Sequence, residues 1–106
     1  KIASDTMVGG ATLTKLLGSS AWYAPGASVS YLVNAIVNNT KEVLPCSVLL
    51  EGEYGVEDLC IGVPVKIGKN GFEEVIQLDL NNKDLEMFQN SVSAVKETNS
   101  ALDGLI

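Results

Sequence analysis

The eight residues Cys60 to Ile67, read CIGVPVKI, alternate without a break. Ile61, Val63, Val65 and Ile67 fall on one face, and Cys60, Gly62, Pro64 and Lys66 fall on the other. Side chains of a strand change sides at every residue, so this pattern predicts a strand with one apolar face. Gly68-Lys69-Asn70-Gly71 follows at once, and Asn-Gly favours the positive φ angles that tight hairpin turns require. Phe72 to Leu80 then reads as the returning partner, with Ile76, Leu78 and Leu80 alternating against Gln77 and Asp79.

Elements on either side can be placed around this hairpin. Upstream, Val43 to Leu50 (VLPCSVLL) is a further strand, set at an edge or a bulge by Pro45, which has no N–H to give a ladder. The linking EGEYGVED is a turn region. Its acids Glu51, Glu53, Glu57 and Asp58 fail as a calcium loop, because Val56 stands where such a loop needs Gly and Gly62 where it needs Glu. A helix is predicted from about Pro25 to Asn38, with Val29, Leu32, Val33 and Ile36 as its core-facing stripe. Another runs from about Ala3 to Leu17, where Leu13, Leu16 and Leu17 bury one face of the second half, and Gly18 stops it. Gly9 and Gly10 inside that helix cost about 1 kcal/mol each relative to Ala and need a reason. The last helix starts at a cap on Asn81 or Asn82 and presents Leu85, Phe88, Val92, Val95 and Leu102. The fold class is therefore α+β: two N-terminal helices, a three-stranded antiparallel meander and a C-terminal amphipathic helix.

Composition narrows function mainly by exclusion. At 106 residues the chain makes one domain with one core. It contains no His and no Arg, so its seven cations are all Lys. Proton transfer near neutral pH would need a strongly shifted carboxylate, lysine or thiol. No planar fork is present for bidentate capture of a carboxylate or phosphate. A net charge of -6 argues against nucleic acid and anionic membranes as partners, and no apolar run approaches the ~18 residues of a membrane helix. Cys46 and Cys60 form no CxxC pair and have no His beside them, so no metal site is expected. They read as buried free thiols in a reducing, cytoplasmic setting, although neighbouring antiparallel strands could bring them together under oxidation. The GKNG turn lacks the Gly-Lys-Ser/Thr ending of a phosphate loop, and Asn38-Asn39-Thr40 reads as a helix end despite fitting the glycosylation triplet. The chain opens on Lys1 without signal-peptide organisation, as a segment of a longer chain would.

Between the two N-terminal helices lies Gly18 to Ser30, GSSAWYAPGASVS, where small residues adjoin the large faces of Trp22 and Tyr23. A pocket wall and an aromatic-filled helix corner are both consistent with it. This run, followed by VLPCSVLLEGEYGVEDLCIGVPVKIGKNGFEEVIQLDL, resembles the carboxy-terminal domain of the lactate and malate dehydrogenase family. The malate branch is the nearer, and the resemblance extends from about Gly9 to Leu102.

That resemblance implies an NAD-dependent oxidoreductase interconverting malate and oxaloacetate, usually as a homo-dimer or homo-tetramer. It implies that Ala21 lines the substrate pocket, where lactate enzymes commonly carry Thr, and that Pro25 packs by the nicotinamide ring. It further implies that residues 1–106 are a substrate-binding segment whose nucleotide-binding domain, with the catalytic His, Asp and Arg residues, precedes Lys1. No catalytic residue is then expected in this chain. Met7 departs from the family pattern, which commonly has a basic residue two positions before the Gly pair. Two other readings stay open, a lactate dehydrogenase segment and a non-enzymatic interaction domain that uses the terminal helix as its contact surface.

Overall fold

A computed structural model describes residues 1–105. Its elements are α1 (Ile2–Leu17), α2 (Tyr23–Val37), β1 (Glu42–Glu51), a 3-10 turn (Glu53–Gly55), β2 (Glu57–Gly68), β3 (Gly71–Val75) and α3 (Asn82–Ser100). The strands form one antiparallel sheet in the order β1-β2-β3, so the α+β arrangement expected from the pattern is the one observed. The alternation of β2 survives intact: Ile61, Val63, Val65 and Ile67 are all buried, and Val65 is fully so. Together with Leu59, Val48 and Leu50 they make the apolar sheet face that Ala35 of α2 and Val92 of α3 cover.

Sequence expectations and structure part company in four places. First, the returning strand ends at Val75 rather than Leu80. Ile76 N donates to Pro64 O at 2.9 Å, but Pro64 has no N–H to return the bond. Instead, Tyr54 Oη donates to Ile76 O at 2.6 Å and accepts from Leu78 N at 2.8 Å, drawing the chain out of the ladder. Second, the turn residues Lys69 and Asn70 avoid positive φ; only Gly71, at φ 89°, adopts it, and a bulge follows on β3. Third, the stripe of α2 is rotated. Leu32, Ala35 and Ile36 face the sheet, whereas Val29 and Val33 are exposed, because the small Ala35 allows α2 to lie close. Fourth, α1 buries no residue at all, so the buried face expected of Leu13, Leu16 and Leu17 is not formed within this chain.

Smaller corrections follow the same logic. Leu102 lies beyond α3 and is exposed, leaving Val92 as its buried anchor with Phe88 and Val95 half-buried beside it. Neither cysteine is buried as expected: Cys46 is half-buried and Cys60 exposed. Both are free, and the register places Cys46 opposite Val63 and Cys60 opposite Leu49, so they do not face each other. Pro45 and Pro64 are paired across β1 and β2, and since Pro64 O serves β3, the bond-forming side of Pro45 is turned to the open edge of β1.

The helix ends explain how the layers are tied together. Asn81 caps α3, its Oδ1 accepting from Asp84 N at 2.9 Å. At the end of α2, Asn39 takes a left-handed φ of 50°, and the amides of Asn39 and Thr40 donate to Ile36 O and Ala35 O. The Asn39 side chain then accepts from Lys69 N at 3.0 Å, joining the foot of α2 to the hairpin tip. Lys41 pairs with Glu73 beside it. Gly68 leaves room for this cluster, because a Cβ there would meet the Glu73 carboxyl first and then Asn39 Oδ1 at 2.8 Å, so both side chains would have to shift.

Candidate functional site

The joint between α1 and α2 is built by two different helix ends. Gly18, at φ 73°, closes α1 by donating to Thr14 O at 2.9 Å. Residues 19–22 then run without regular structure until α2 begins at Tyr23, two residues earlier than expected. Pro25 therefore occupies the third helical position, where a missing N–H leaves no intrahelical bond unmade. Gly26 is the first amide of this turn to close, donating to Trp22 O at 2.8 Å.

Leu17, Ser19, Ser20, Ala21, Trp22 and Tyr23 line a shallow hollow of about 180 Å³. Ala21 is half-buried in it, while Trp22 and Tyr23 stand 66% and 86% exposed. Their rings lie 6.4 Å apart at 43°, so they flank the hollow rather than fill a corner against the core. Pro25 is exposed in the first turn of α2 and does not line the hollow. The two expected site residues thus share one joint but not one cavity.

Ionisable groups with displaced pKa values are elsewhere. Its bond to Lys41 holds the Glu73 carboxyl below the usual glutamate value, and the backbone N–H of Glu51 does the same for Glu53. Lys66 is raised by its bond to Glu74, and the Tyr31 phenol by its bond to Glu42. None of these residues lines the hollow, whose only polar side chains near Ala21 are the hydroxyls of Ser19 and Ser20 and the edges of the two aromatics. Among the described residues no cluster of His, Cys, Asp or Glu could hold a metal ion. The hollow is lined by no carboxylate, ammonium or thiol, so what it offers a neighbouring molecule is surface and hydroxyl groups.

A larger open groove of about 660 Å³ lies between α2 and β1, bordered by residues that include Ala27, Tyr31, Leu32, Leu44, Pro45 and Cys46. Sequence reasoning did not find it. Its only signal is the pairing of small residues on α2 with a proline at a strand edge, and neither is distinctive alone. Size does not make it the functional site, because its lining is mostly apolar and its polar members, Ser28, Tyr31, Cys46 and Ser47, include no charged side chain.

Residues 1–102 match the family model described as lactate/malate dehydrogenase, alpha/beta C-terminal domain. The chain belongs to the lactate/malate dehydrogenase family. It is 58% identical over all 106 residues to a malate dehydrogenase of Flavobacterium johnsoniae, covering 34% of that protein. Among solved structures, malate dehydrogenase from Salinibacter ruber matches 98% of this chain with a TM-score of 0.94 and 41% identity, over 34% of its own length. A lactate dehydrogenase from Eimeria maxima, solved with NADH and oxamate, matches 96% of this chain with a TM-score of 0.91 at 35% identity. The chain thus spans about a third of the length of the dehydrogenases it resembles. As the carboxy-terminal domain of this family it supplies one sheet, two covering helices and the α1–α2 joint. No helix among the described residues is long and apolar enough to cross a membrane.

Proposed function

We propose that the chain is the carboxy-terminal third of an NAD-dependent malate dehydrogenase that interconverts malate and oxaloacetate, acting together with an amino-terminal nucleotide-binding part. The observation that carries this reading is the 58% identity over the whole chain to a protein named malate dehydrogenase. In it, Ala21 forms part of the substrate wall. A methyl group at that half-buried position leaves room beside Ser19 and Ser20 for a second carboxylate, which a larger side chain would occupy. Pro25, exposed and apolar in the first turn of α2, offers a face to the nicotinamide ring without a competing hydrogen bond. When bound, NAD accepts or returns the hydride.

What this chain presents fits one edge of such a cofactor only. No cation lies in the first turn of α2, and the one Gly-Lys turn closes a β-hairpin rather than opening a helix. The chain's contribution is accordingly to shape, orient and exclude water, while the acid, the base and the carboxylate clamps belong to the other part. A homo-dimer or homo-tetramer in the cytoplasm completes the reading, the latter supported by the two free thiols. Lactate specificity is the second reading, favoured by the likeness to the Eimeria maxima enzyme.

The test is NADH oxidation by this chain alone and by the full-length gene product, with oxaloacetate and with pyruvate. We expect no turnover by the chain alone and a preference of the full-length protein for oxaloacetate. Turnover by the isolated chain, or a full-length product inactive on both substrates, would overturn the reading; a preference for pyruvate would establish the lactate alternative.

A further inference from the structure

The core of this chain does not hold α1. None of its sixteen residues is buried, and Ile2, Met7 and Leu16 expose 85%, 82% and 78% of their surface. At 100° per residue, Ile2, Gly9, Leu13 and Leu16 fall within about 60° of one another, an apolar stripe with glycine at its centre. Glycine weakens a helix interior, and Gly9 and Gly10 do so side by side. Yet beyond the adjoining residues and the helix's own backbone, nothing among the described residues comes within 4 Å of a Cβ built on either residue. The fold of residues 1–105 therefore gives no reason for the pair. Lys1 adds no side-chain cap, and a helix of sixteen residues with two internal glycines and no buried residue is marginal in water.

The solved relatives supply the missing side of the argument. The match to the Salinibacter ruber enzyme takes in 98% of this chain, α1 included, at a TM-score of 0.94 while using 34% of that protein. A TM-score that high over nearly the whole chain places the helix alike in both proteins, although in this chain no residue of it is buried. Two thirds of that protein lie outside the match and are available to cover the helix. We propose that α1 is a coupled folding and docking element: it becomes helical when the amino-terminal two thirds of the dehydrogenase closes over the Ile2–Leu16 stripe, with backbone or bulky side chains pressed against Gly9. This rests on the reading of the chain as one third of a longer enzyme.

The experiment compares amide hydrogen exchange in this chain alone with exchange in a chimera, in which the chain replaces the matching third of the Flavobacterium johnsoniae enzyme. In the chain alone, α1 amides should exchange within about tenfold of an unstructured peptide while β2 amides remain slow; in the chimera, α1 should slow by about 100-fold or more. Gly9→Leu in the chimera should return α1 to fast exchange and leave β2 protected, with Gly9→Ala intermediate. Equal protection of α1 in both proteins would overturn the proposal, as would a Gly9→Leu chimera with α1 still protected. Protection in the chain alone that grows with its concentration would assign the stripe to a second copy instead. NADH oxidation with oxaloacetate separates the two readings. An inactive chimera with protected α1 removes the malate dehydrogenase reading and keeps the docking, and an active one with unprotected α1 does the reverse.

Discussion

Tyr54→Phe is the most informative single change to the fold, because it deletes one oxygen that does the work of a strand. The residue sits at φ 55°, its ring 5.2 Å from that of Phe88, and its hydroxyl bridges Ile76 O and Leu78 N. Phenylalanine keeps the ring contact and loses both hydrogen bonds. A net hydrogen bond contributes about 0.5–1.5 kcal/mol, so losing the two, one partly buried and one exposed, should cost roughly 1–3 kcal/mol. For a domain of this size that lowers Tm by roughly 5–15 °C, measurable by circular dichroism. The structure makes a sharper demand through Pro64. Pro64→Ala supplies the N–H that Ile76 O lacks within the ladder, so in the Tyr54→Phe background it should recover part of the loss. In the wild-type background it should gain nothing, since the hydroxyl already serves that carbonyl and alanine also frees the unfolded chain. A coupling of about 0.5 kcal/mol or more in the double-mutant cycle is expected. Additive effects, or an unchanged exchange rate at Leu78 N in Tyr54→Phe, would refute the reasoning.

Four further outcomes are expected. Leu50→Ala empties a fully buried position of the sheet face and should cost about 2–5 kcal/mol, read from the urea midpoint. Gly68→Ala puts a methyl group against the Glu73 carboxyl and Asn39 Oδ1 and, by displacing both, should cost roughly 1–3 kcal/mol, with loss of protection at Lys69 N. Glu73 has its pKa held below 4.5 by Lys41, so the pair contributes stability that is present above that value and lost as pH falls through the lower folded pKa; Glu73→Gln should flatten the acid limb of Tm against pH below about 4.5. In the full-length enzyme, Ala21→Thr should lower kcat/KM for oxaloacetate relative to pyruvate by roughly tenfold or more, as steady-state kinetics would show.

How far the sequence reveals this fold depends on whether each signal is local. The alternation in β2 is self-contained, since every second residue reports its own face, and it was fully legible. The end of β3 was not, because it depends on a proline eleven residues upstream of Val75 and a tyrosine at position 54. The stripe of α2 was half legible: apolar bulk marked Leu32 and Ile36 correctly, but closeness to the sheet is set by Ala35, which bulk overlooks. Periodicity in α1 signals a face that needs covering and says nothing of what covers it. The joint was visible as a cluster of small and aromatic residues, yet the roles proposed for Ala21 and Pro25 rest on resemblance, because no acid, base or cation marks them. The α2–β1 groove joins segments about fifteen residues apart, and no local pattern points to it.

The tie between Asn39 and the hairpin tip gives α2 the mechanics of a lever. Its fifteen residues span about 22 Å, pivoted at the foot by Asn39, Gly68 and the Lys41–Glu73 pair and unclamped at the head, where Ala21 and Pro25 sit. A tilt of only about 3° at the fulcrum swings the head by about 1 Å, an error large enough to cost on the order of 100-fold in a reaction that needs aligned partners. If Ala21 and Pro25 serve the dehydrogenase site as proposed, substitutions at the hairpin tip should therefore register as changes in turnover at the opposite end of the helix, with every contacting side chain still in place.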